Sequence, residues 1–403
     1  MGSRAVIVKT IQDVRASYWF LPSALVVCAA FFAQAMLWVD ARRDLLPFEV
    51  PQAFGDTQVD GARTVMSIIS QSVFGVAGVM FSMTIVAVSF ASGNFGPRLI
   101  SNFMRDRGNQ WALGILVATF VYCLLVTRGI QSGSDDIGVF VPHLSIIIAF
   151  IATFVSIFTV IFFVHHIPEL INVSNITAHL GARLMDNVRD LIDDHTAGDA
   201  AIFDLPDTVP DHLIRLDEAG YIQTLNKTAI VKIAESRGLL VEVPFPPGQF
   251  VTPNAVVLRV WGHGATDEDF KNMQDAFALG RGRTEHQNLL FLVDQLVEMI
   301  ARALSPGTND PFTAINCLNW LHAGLVVAAT HEGGLTGGKH GRVMIDGLTF
   351  EDVLTASLAQ PFPYIRDDAL TLEHFQSIVV KLQAELADTP HSGTIDAFAA
   401  QLS

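Results

Sequence analysis

Four long uncharged runs in the first 166 residues constrain this chain more than any other feature. They cover residues 16–39, 64–97, 108–127 and 137–164. Each run is long enough for an α-helix that crosses the hydrocarbon core of a bilayer, which takes about 20 apolar residues. We therefore expect four transmembrane helices in this part of the chain.

The first run could be mistaken for a signal peptide, because basic residues precede it. It is longer than the apolar region of such a peptide, and it ends in AMLWVDARR, where there is no small-x-small cleavage site. We interpret it as a membrane helix that stays attached. The segment PRLISNFMRD, after the second run, is predicted to be either a short amphipathic helix or a plain loop.

Charge divides the chain into two unlike parts. Residues 1–166 contain ten Lys and Arg and nine Asp and Glu, whereas residues 167–403 contain 15 and 31, a net charge of −16. An acidic surface repels the phosphates of nucleic acids. We expect the lipid bilayer as the partner of the first part, and no nucleic acid as a partner of the second.

Basic residues near the ends of the runs predict the orientation, since cytoplasmic loops are enriched in Lys and Arg. Three lie before the first run, three lie between the second and third runs, and two follow the fourth. The loops on the other side contain more acidic than basic residues. The pattern predicts a multi-pass protein of the bacterial inner (plasma) membrane with both termini in the cytoplasm.

Small residues recur on one face of the second run, at steps of three, four or seven positions. They are Gly75, Gly78, Ser82, Ser89 and Ser92. Such a face is typical of close helix packing in membranes, and it also suits a pore, where hydroxyl groups replace the water around an ion. Both interpretations stay open, and both predict a homo-oligomer, because four helices enclose little space alone.

Residues 204–264 have the β-branched runs and turn residues of short strands. LIRLDEAGYIQTL, LLVEVPFPPGQFV and AVVLRVWG are predicted strands, and NKTAIVKIAESRG is a predicted short helix that ends at Gly238. This order resembles a small barrel-sandwich module of the lipoyl-domain type. Lys227 and Lys232 lie in the helix rather than in a hairpin tip, so we expect no attached cofactor.

From Thr266 onward the sequence predicts helices. DEDFKNMQDAFALG is predicted to end at Gly280 as a C-cap, and Thr284 and Gln287 to form a capping box that opens the next helix. HEGGLTGGKHG is predicted to be a flexible connection.

The uncharged segment 311–330 is long enough for a fifth membrane helix. Polar residues at three-residue steps, namely Asn316, Asn319 and His322, indicate instead a buried helix of a soluble domain. Asp310 is its predicted N-cap and Pro311 its predicted first residue.

Four residues are candidates for ligand binding. Arg281 and Arg283 precede a predicted helix N-terminus, where backbone amides attract anions. Asn309 and Asp310 lie in the turn before the helix that begins at Pro311. We expect no enzyme, because the Ser-His-Asp, HExxH, P-loop and GxGxxG patterns are missing. We also expect no metal, since HHIPE is a weak ligand pattern and the cysteines are far apart.

The sequence thus predicts an α-helical membrane protein with four transmembrane helices and a cytoplasmic α+β domain. The predicted regions are the membrane block (1–166), a helical connector (167–203), a small β-barrel or sandwich-like module (204–264) and a helical subdomain (265–403). One predicted function is an oligomeric channel, in which a small ion permeates passively along the second membrane helix and the cytoplasmic domain regulates it. The alternative is a membrane-anchored sensor or scaffold whose cytoplasmic domain binds a ligand or a protein.

Several segments resemble a known family. ASGNFGPRLISNFMRDRGNQWALG, AGYIQTLN, PGQFV and above all ALSPGTNDPFTA resemble the bacterial predicted membrane proteins grouped as a domain family of unknown function. The resemblance extends from about Ser17 to Gln376. Thr308 stands where isoleucine is usual and Asn288 where aspartate is common. The resemblance implies four membrane spans and a cytoplasmic domain, and it carries no assigned activity or catalytic residues.

Overall fold

The structure is a computed structural model and describes residues 17–42, 58–96, 103–104, 106–134, 137–196, 204–285, 287–332 and 334–402. They form two compact units. The membrane unit contains residues 17–93 and 103–172, and the C-terminal unit contains residues 94–96 and 173–402, each with the gaps just given. The predicted amphipathic segment PRLISNFMRD lies mostly outside the described residues.

The membrane unit is built from four long helices: α1 (Phe20–Asp40), α2 (Val59–Phe95), α3 (Arg107–Gly129) and α4 (His143–Leu170). Within the described residues, these are the four helices long and apolar enough to cross a membrane, which confirms the predicted number of spans. A hairpin of β1 (Gln131–Ser134) and β2 (Ile137–Phe140) connects α3 to α4.

Apolar side chains from all four helices form the core of the membrane unit, and they include Ala33, Met66, Leu116 and Phe163. Polar groups fix the helix ends. Asp106 accepts a hydrogen bond from the backbone N–H of Asn109 (2.8 Å) and thereby caps α3, and its carboxylate also lies 2.9 Å from Nε2 of His166. The two histidines of the sequence HHIPE therefore have different partners. His166 lies beside Asp106, whereas His165 contacts Glu169 (3.2 Å).

The C-terminal unit begins with α5 (Val173–Thr196), which follows α4 after two residues. Its strands are β3 (His212–Arg215), β4 (Gly220–Leu225), β5 (Leu240–Val243), β6 (Phe250–Val251), β7 (Val256–Trp261), β8 (Phe277–Gly280), β9 (Gly338–His340) and β10 (Val343–Ile345). Two short helices lie among them, α6 (Lys227–Arg237) and α7 (Asp267–Gln274). As predicted, α6 ends at Gly238, which adopts the left-handed conformation with φ of 68°.

The strands form two small open sheets in the described part of this unit, with orders β3-β7-β5-β10-β9 and β6-β4-β8. Neither sheet closes, so the expected barrel-like module is not confirmed. Strands from the region predicted to be helical join both sheets, and two local predictions are wrong. Residues 277–280 form β8 rather than a helix end, because they pair with β4. The glycine-rich connection contains β9, because residues 338–340 pair with β10, the strand that follows the connection.

The remaining helices are α8 (Leu290–Ala303), α9 (Pro311–Ala328), α10 (Phe350–Leu354), α11 (Phe362–Ile365), α12 (Ala369–Glu385) and α13 (Ser392–Leu402), with a π-helical turn at Thr355–Ala359. The helix α9 lies in the C-terminal unit and contacts α5, α8 and α12. Asn316 donates a hydrogen bond to the Thr177 hydroxyl (2.9 Å). The prediction of a helix packed inside the C-terminal unit is therefore confirmed, whereas its location outside the membrane stays a prediction.

Asp310 is the N-cap of α9, as predicted. Its carboxylate accepts a hydrogen bond from the backbone N–H of Thr313 (3.1 Å), and Pro311 is the first residue of the helix. The predicted capping box of Thr284 and Gln287 is wrong. The helix α8 begins only at Leu290, with Leu289 as its N-cap, because the side chain of Gln287 bonds to a strand instead.

Candidate ligand-binding site

A cavity of about 470 Å³ lies in the C-terminal unit. Its walls come from α5, the junction of β4 and α6, the turn before β6, the segment before α8, and residues 336–348. Much of the wall is apolar, and the side chains that form this part include Leu191, Leu225, Phe250, Leu290 and Leu348. The volume falls within the range of roughly 300–1,000 Å³ that is typical of small-molecule pockets.

The turn before β6 forms one wall and requires a glycine. Gly248 has a φ of 95°, and a Cβ atom at this position would lie 2.5 Å from the amide of Asn288. The turn is fixed on β4, since Gly248 donates to the carbonyl of Ile222 (2.7 Å) and Ile222 donates to the carbonyl of Gln249 (2.9 Å). Gly248 is thus needed both for the backbone conformation and for the close approach of Asn288.

Asn288 contributes a buried donor to the cavity wall. Its side chain is 6% exposed, and its Nδ2 atom has no hydrogen-bond partner among the described residues. An unsatisfied buried polar group costs about 1–3 kcal/mol. A ligand with an acceptor atom at this wall would remove that cost.

Gln287 holds the segment before α8 against the end of β4. Its Oε1 atom accepts a hydrogen bond from the backbone N–H of Leu225 (2.9 Å), and the residue has a φ of 58°. This positive φ is uncommon for a residue with a side chain. The contact keeps the residues before α8 next to the start of α6.

The N-termini of two helices meet at the cavity. Lys227 is the first residue of α6 and Leu290 is the first residue of α8, and both line the wall. The amides of a helix N-terminus act like about half a positive charge. The cavity therefore has a positive backbone field at this wall before any side-chain charge is considered.

Two cationic side chains line the cavity, Lys227 and Arg283. No Asp or Glu lies in the described part of the lining. Arg283 is ion-paired with Asp294, and its guanidinium lies 5.7 Å from the ring centroid of Tyr221. Lys227 is exposed and has no ion pair or hydrogen bond among the described residues. The charge available to a ligand comes mainly from Lys227.

The structure brings only one of the four predicted ligand-binding residues to this cavity. Arg283 lines it, whereas Arg281 is exposed and does not. Asn309, with φ of 47°, and Asp310 form the turn before α9 and do not line it either. The ligand roles of Arg281, Asn309 and Asp310 stay predictions. Asp310 already has a structural role, since its carboxylate caps α9.

Two site residues were not assigned from the sequence, Lys227 and Asn288. A signal for Lys227 was present, because a cation directly after the N-cap Asn226 is unfavourably placed in the field of the helix. Asn288 gives no comparable signal, since its burial depends on contact with Gly248, forty positions earlier in the chain.

The small-residue face of α2 points away from the core of the membrane unit. Gly75, Gly78, Ser82 and Ser89 are exposed and Ser92 is half-buried. A Cβ atom at either glycine would meet no described atom within 4 Å. The buried face of α2 consists of other residues, which include Met66, Val73, Ala77, Met80 and Ala87. Packing within one copy of this unit therefore does not explain the face, and its role as a pore or packing surface stays a prediction.

Comparisons with known proteins agree with the assignment to a membrane. The profile of the family described as "Predicted membrane protein (DUF2254)" matches residues 15–380. Uncharacterized proteins of Mycobacterium bovis and Mycobacterium tuberculosis are each 31% identical to this chain over 272 residues, which is 65% of this chain and 51% of theirs. The chain thus spans about half the length of these curated relatives. No solved structure matches the chain.

The family match covers most of the chain, including all four long apolar helices and the cavity-lining residues. It confirms the resemblance seen in ALSPGTNDPFTA and the other segments. This chain belongs to the predicted membrane protein family DUF2254.

Proposed function

We propose that this membrane protein is a membrane-anchored sensor whose C-terminal unit binds a small ligand in the cavity. The observation that carries the proposal is the buried, unpaired amide of Asn288 on the wall of an otherwise largely apolar cavity. Apolar walls with a few polar groups are typical of small-molecule sites. The sequence offered this function as the alternative to a channel, and the cavity supports it better.

The helix α5 supports a role in signalling. Leu191 of α5 lines the cavity, and Arg183 of the same helix is ion-paired with Glu285, in the segment that leads to Asn288. Along the chain, α5 begins three residues after the last residue of α4. A ligand that shifts α5 would therefore act on the helix that follows the last membrane helix after only two residues.

We propose that the C-terminal unit binds its ligand without catalysing a reaction. Cys317, the cysteine of the C-terminal unit, is fully buried in α9, and burial raises the pKa of its thiol. A buried thiol of this kind is unreactive.

We further propose an inner-membrane location with both termini in the cytoplasm. A reporter protein that is active only in the cytoplasm, fused after Gly334, should then be active.

A ligand screen with a cavity-blocking variant tests the proposal. The full chain in maltoside detergent is heated with a library of soluble metabolites, and compounds that raise its melting temperature are selected. Leu191→Trp fills the cavity and is expected to remove these responses. Leu213→Trp, on an exposed position of β3 away from the cavity, is the control and should retain them. A library without any stabilising compound, or responses that survive Leu191→Trp, would contradict the proposal.

An oligomeric channel for a small ion is the second candidate function. The observation that favours it is the exposed, uncharged small-residue face of α2, which has no packing partner among the described residues of its own unit. Assembly of several copies around this face would bury it, as expected for symmetric oligomers. Under this proposal the C-terminal unit regulates permeation.

A further inference from the structure

The charge of the cavity wall is opposite to that of the surrounding chain. Residues 167–403 have a net charge of −16, yet the described lining contains Lys227 and Arg283 and no carboxylate. A site for a cation would be expected to use the abundant acidic residues. Their absence from the described wall favours an anionic ligand.

Lys227 is placed where the helix itself disfavours a cation. It is the first residue of α6, next to the positive end of the helix dipole, and a cation there is normally destabilising. It also has no ion pair among the described residues. An anion bound between Lys227 and the amides of α6 and α8 would reverse this unfavourable interaction.

Asn288 gives evidence that does not depend on charge. Asn288 lines the cavity just before the first turn of α8, and its buried Nδ2 atom has no acceptor among the described residues. Any acceptor oxygen would satisfy it, but only an anionic group would at the same time satisfy Lys227 and the two helix N-termini.

We infer that the ligand carries a phosphate group, held by Lys227, Asn288 and the N-termini of α6 and α8. The inference rests on the proposed function of the same cavity. A phosphate presents three oxygens in a tetrahedral arrangement, which suits donors from an ammonium, an amide and two helix ends better than the planar pair of a carboxylate does. The rest of the ligand lies against the apolar wall, near Leu191, Phe250 and Leu348.

Phenyl phosphate is the probe that tests this inference, because it joins a phosphate to a small apolar ring. Its binding to the full chain is measured by calorimetry in a maltoside detergent and a buffer without phosphate, next to benzoate and phenol. We expect phenyl phosphate to bind most tightly. Phenol binding as tightly as phenyl phosphate, and blocked by Leu191→Trp, would overturn the phosphate assignment and leave the sensor proposal intact.

Three variants locate the phosphate. Lys227→Gln is expected to raise the Kd for phenyl phosphate at least about tenfold, because it removes a charge-assisted contact. Asn288→Asp keeps the shape of the side chain but replaces the donor with a negative oxygen. Its loss of affinity for phenyl phosphate should be at least as large as that of Lys227→Gln. Lys232→Gln removes an exposed cation of the same helix outside the cavity and should leave the Kd unchanged. Equal losses in Lys227→Gln and Lys232→Gln would overturn the inference.

A lipid headgroup would offer the same chemistry as a soluble phosphate monoester. Phosphatidic acid and phosphatidylcholine are therefore added separately to the detergent micelles, and competition with phenyl phosphate is measured. Competition by phosphatidic acid that Lys227→Gln abolishes would assign the site to a lipid phosphate. Binding of phenyl phosphate without such competition would assign it to a soluble one. If no probe binds and the metabolite screen also fails, both proposals fail.

Discussion

The carboxylate of Asp40, the last residue of α1, accepts hydrogen bonds from both the backbone N–H (2.9 Å) and the hydroxyl (2.7 Å) of Ser145, in the first turn of α4. A third bond comes from the backbone N–H of Leu144 (3.0 Å). Asp40 is 2% exposed. One membrane helix therefore caps another that begins about a hundred residues later, and the acidic side chain faces the positive end of the α4 dipole.

Loss of this cap is expected to destabilise the membrane unit. Asp40→Ala removes three bonds to a charged acceptor, each of which contributes about 1.5–3 kcal/mol, and should lower the melting temperature of the detergent-solubilised chain. Asp40→Asn keeps one acceptor oxygen and should have a smaller effect. Asp60→Ala, on an exposed acid in the first turn of α2, is the matched control. Equal melting temperatures for Asp40→Ala and Asp60→Ala would contradict the expectation.

Gly248→Ala is expected to damage both stability and ligand binding. A residue with a side chain at φ of 95° costs about 1–3 kcal/mol, and the new Cβ would also push against the amide of Asn288. We expect a lower melting temperature and weaker binding of phenyl phosphate. Gly282→Ala is the control, because a Cβ atom there meets no described atom within 4 Å. A variant at Gly248 that behaves like Gly282→Ala would show that the turn tolerates a side chain.

His374 should make the C-terminal unit less stable in mild acid. Burial, together with the charges of Lys381 and His322, lowers the pKa of His374 below its ordinary value of 6.5. As the pH falls through 6.5, the unfolded chain takes up this proton before the folded chain does, so stability is lost toward low pH. His374→Gln can still donate to Oδ1 of Asn319, the present partner at 2.7 Å. We expect its melting temperature to fall less between pH 7 and pH 5 than that of the wild type, and parallel curves would refute this.

The Arg183–Glu285 ion pair is expected to support the cavity. Both side chains are largely covered, with exposures of 29% and 19%. Arg183→Gln releases Glu285 in the segment before α8 and should weaken binding of phenyl phosphate several-fold, because the position of Asn288 becomes less fixed. Arg189→Gln breaks a pair with Asp186 on the same helix that is more exposed, and such pairs contribute about 0–1 kcal/mol. An affinity loss that is the same in both variants would exclude a role for the pair in positioning the site.

The channel proposal predicts that bulky residues on the small-residue face of α2 block ion flux. Ser82→Leu and Ser89→Leu lie on exposed positions, so the fold of one copy should be unaffected. Flux in proteoliposomes should be lost while the oligomer stays assembled. Val79→Leu, on an exposed neighbouring position, is the control. Dissociation of the oligomer would indicate helix packing instead, and a wild type without flux at any pH or voltage would refute the channel.

The features that the sequence predicts well depend on neighbouring residues. A membrane span is defined by its own apolar run, and the cap of α9 needs only Asp310, Pro311 and the amide of Thr313. The end of α6 depends similarly on one residue, Gly238, that adopts a positive φ. Interactions between residues that are close in sequence produce a pattern that can be recognised in the sequence itself.

The cavity could not be predicted in the same way, because its walls come from five separated segments. Gln287 illustrates the difficulty, since its spacing from Thr284 fits a capping box but its side chain bonds to Leu225 instead. Residues 277–280 have a sequence typical of a helix end, but they form a strand because they pair with the edge of β4. In both cases a partner more than fifty positions away overrides the local preference.

The parallel pairing of β10 with β5 has a consequence for biosynthesis. The strand β5 emerges from the ribosome about a hundred residues before β10, a delay of about 5–20 s at typical rates of synthesis. During this time one edge of β5 has no partner and can pair with another nascent chain. Insertion of the four membrane helices, which are made earlier, would tether the growing chain to the bilayer and limit its encounters with others.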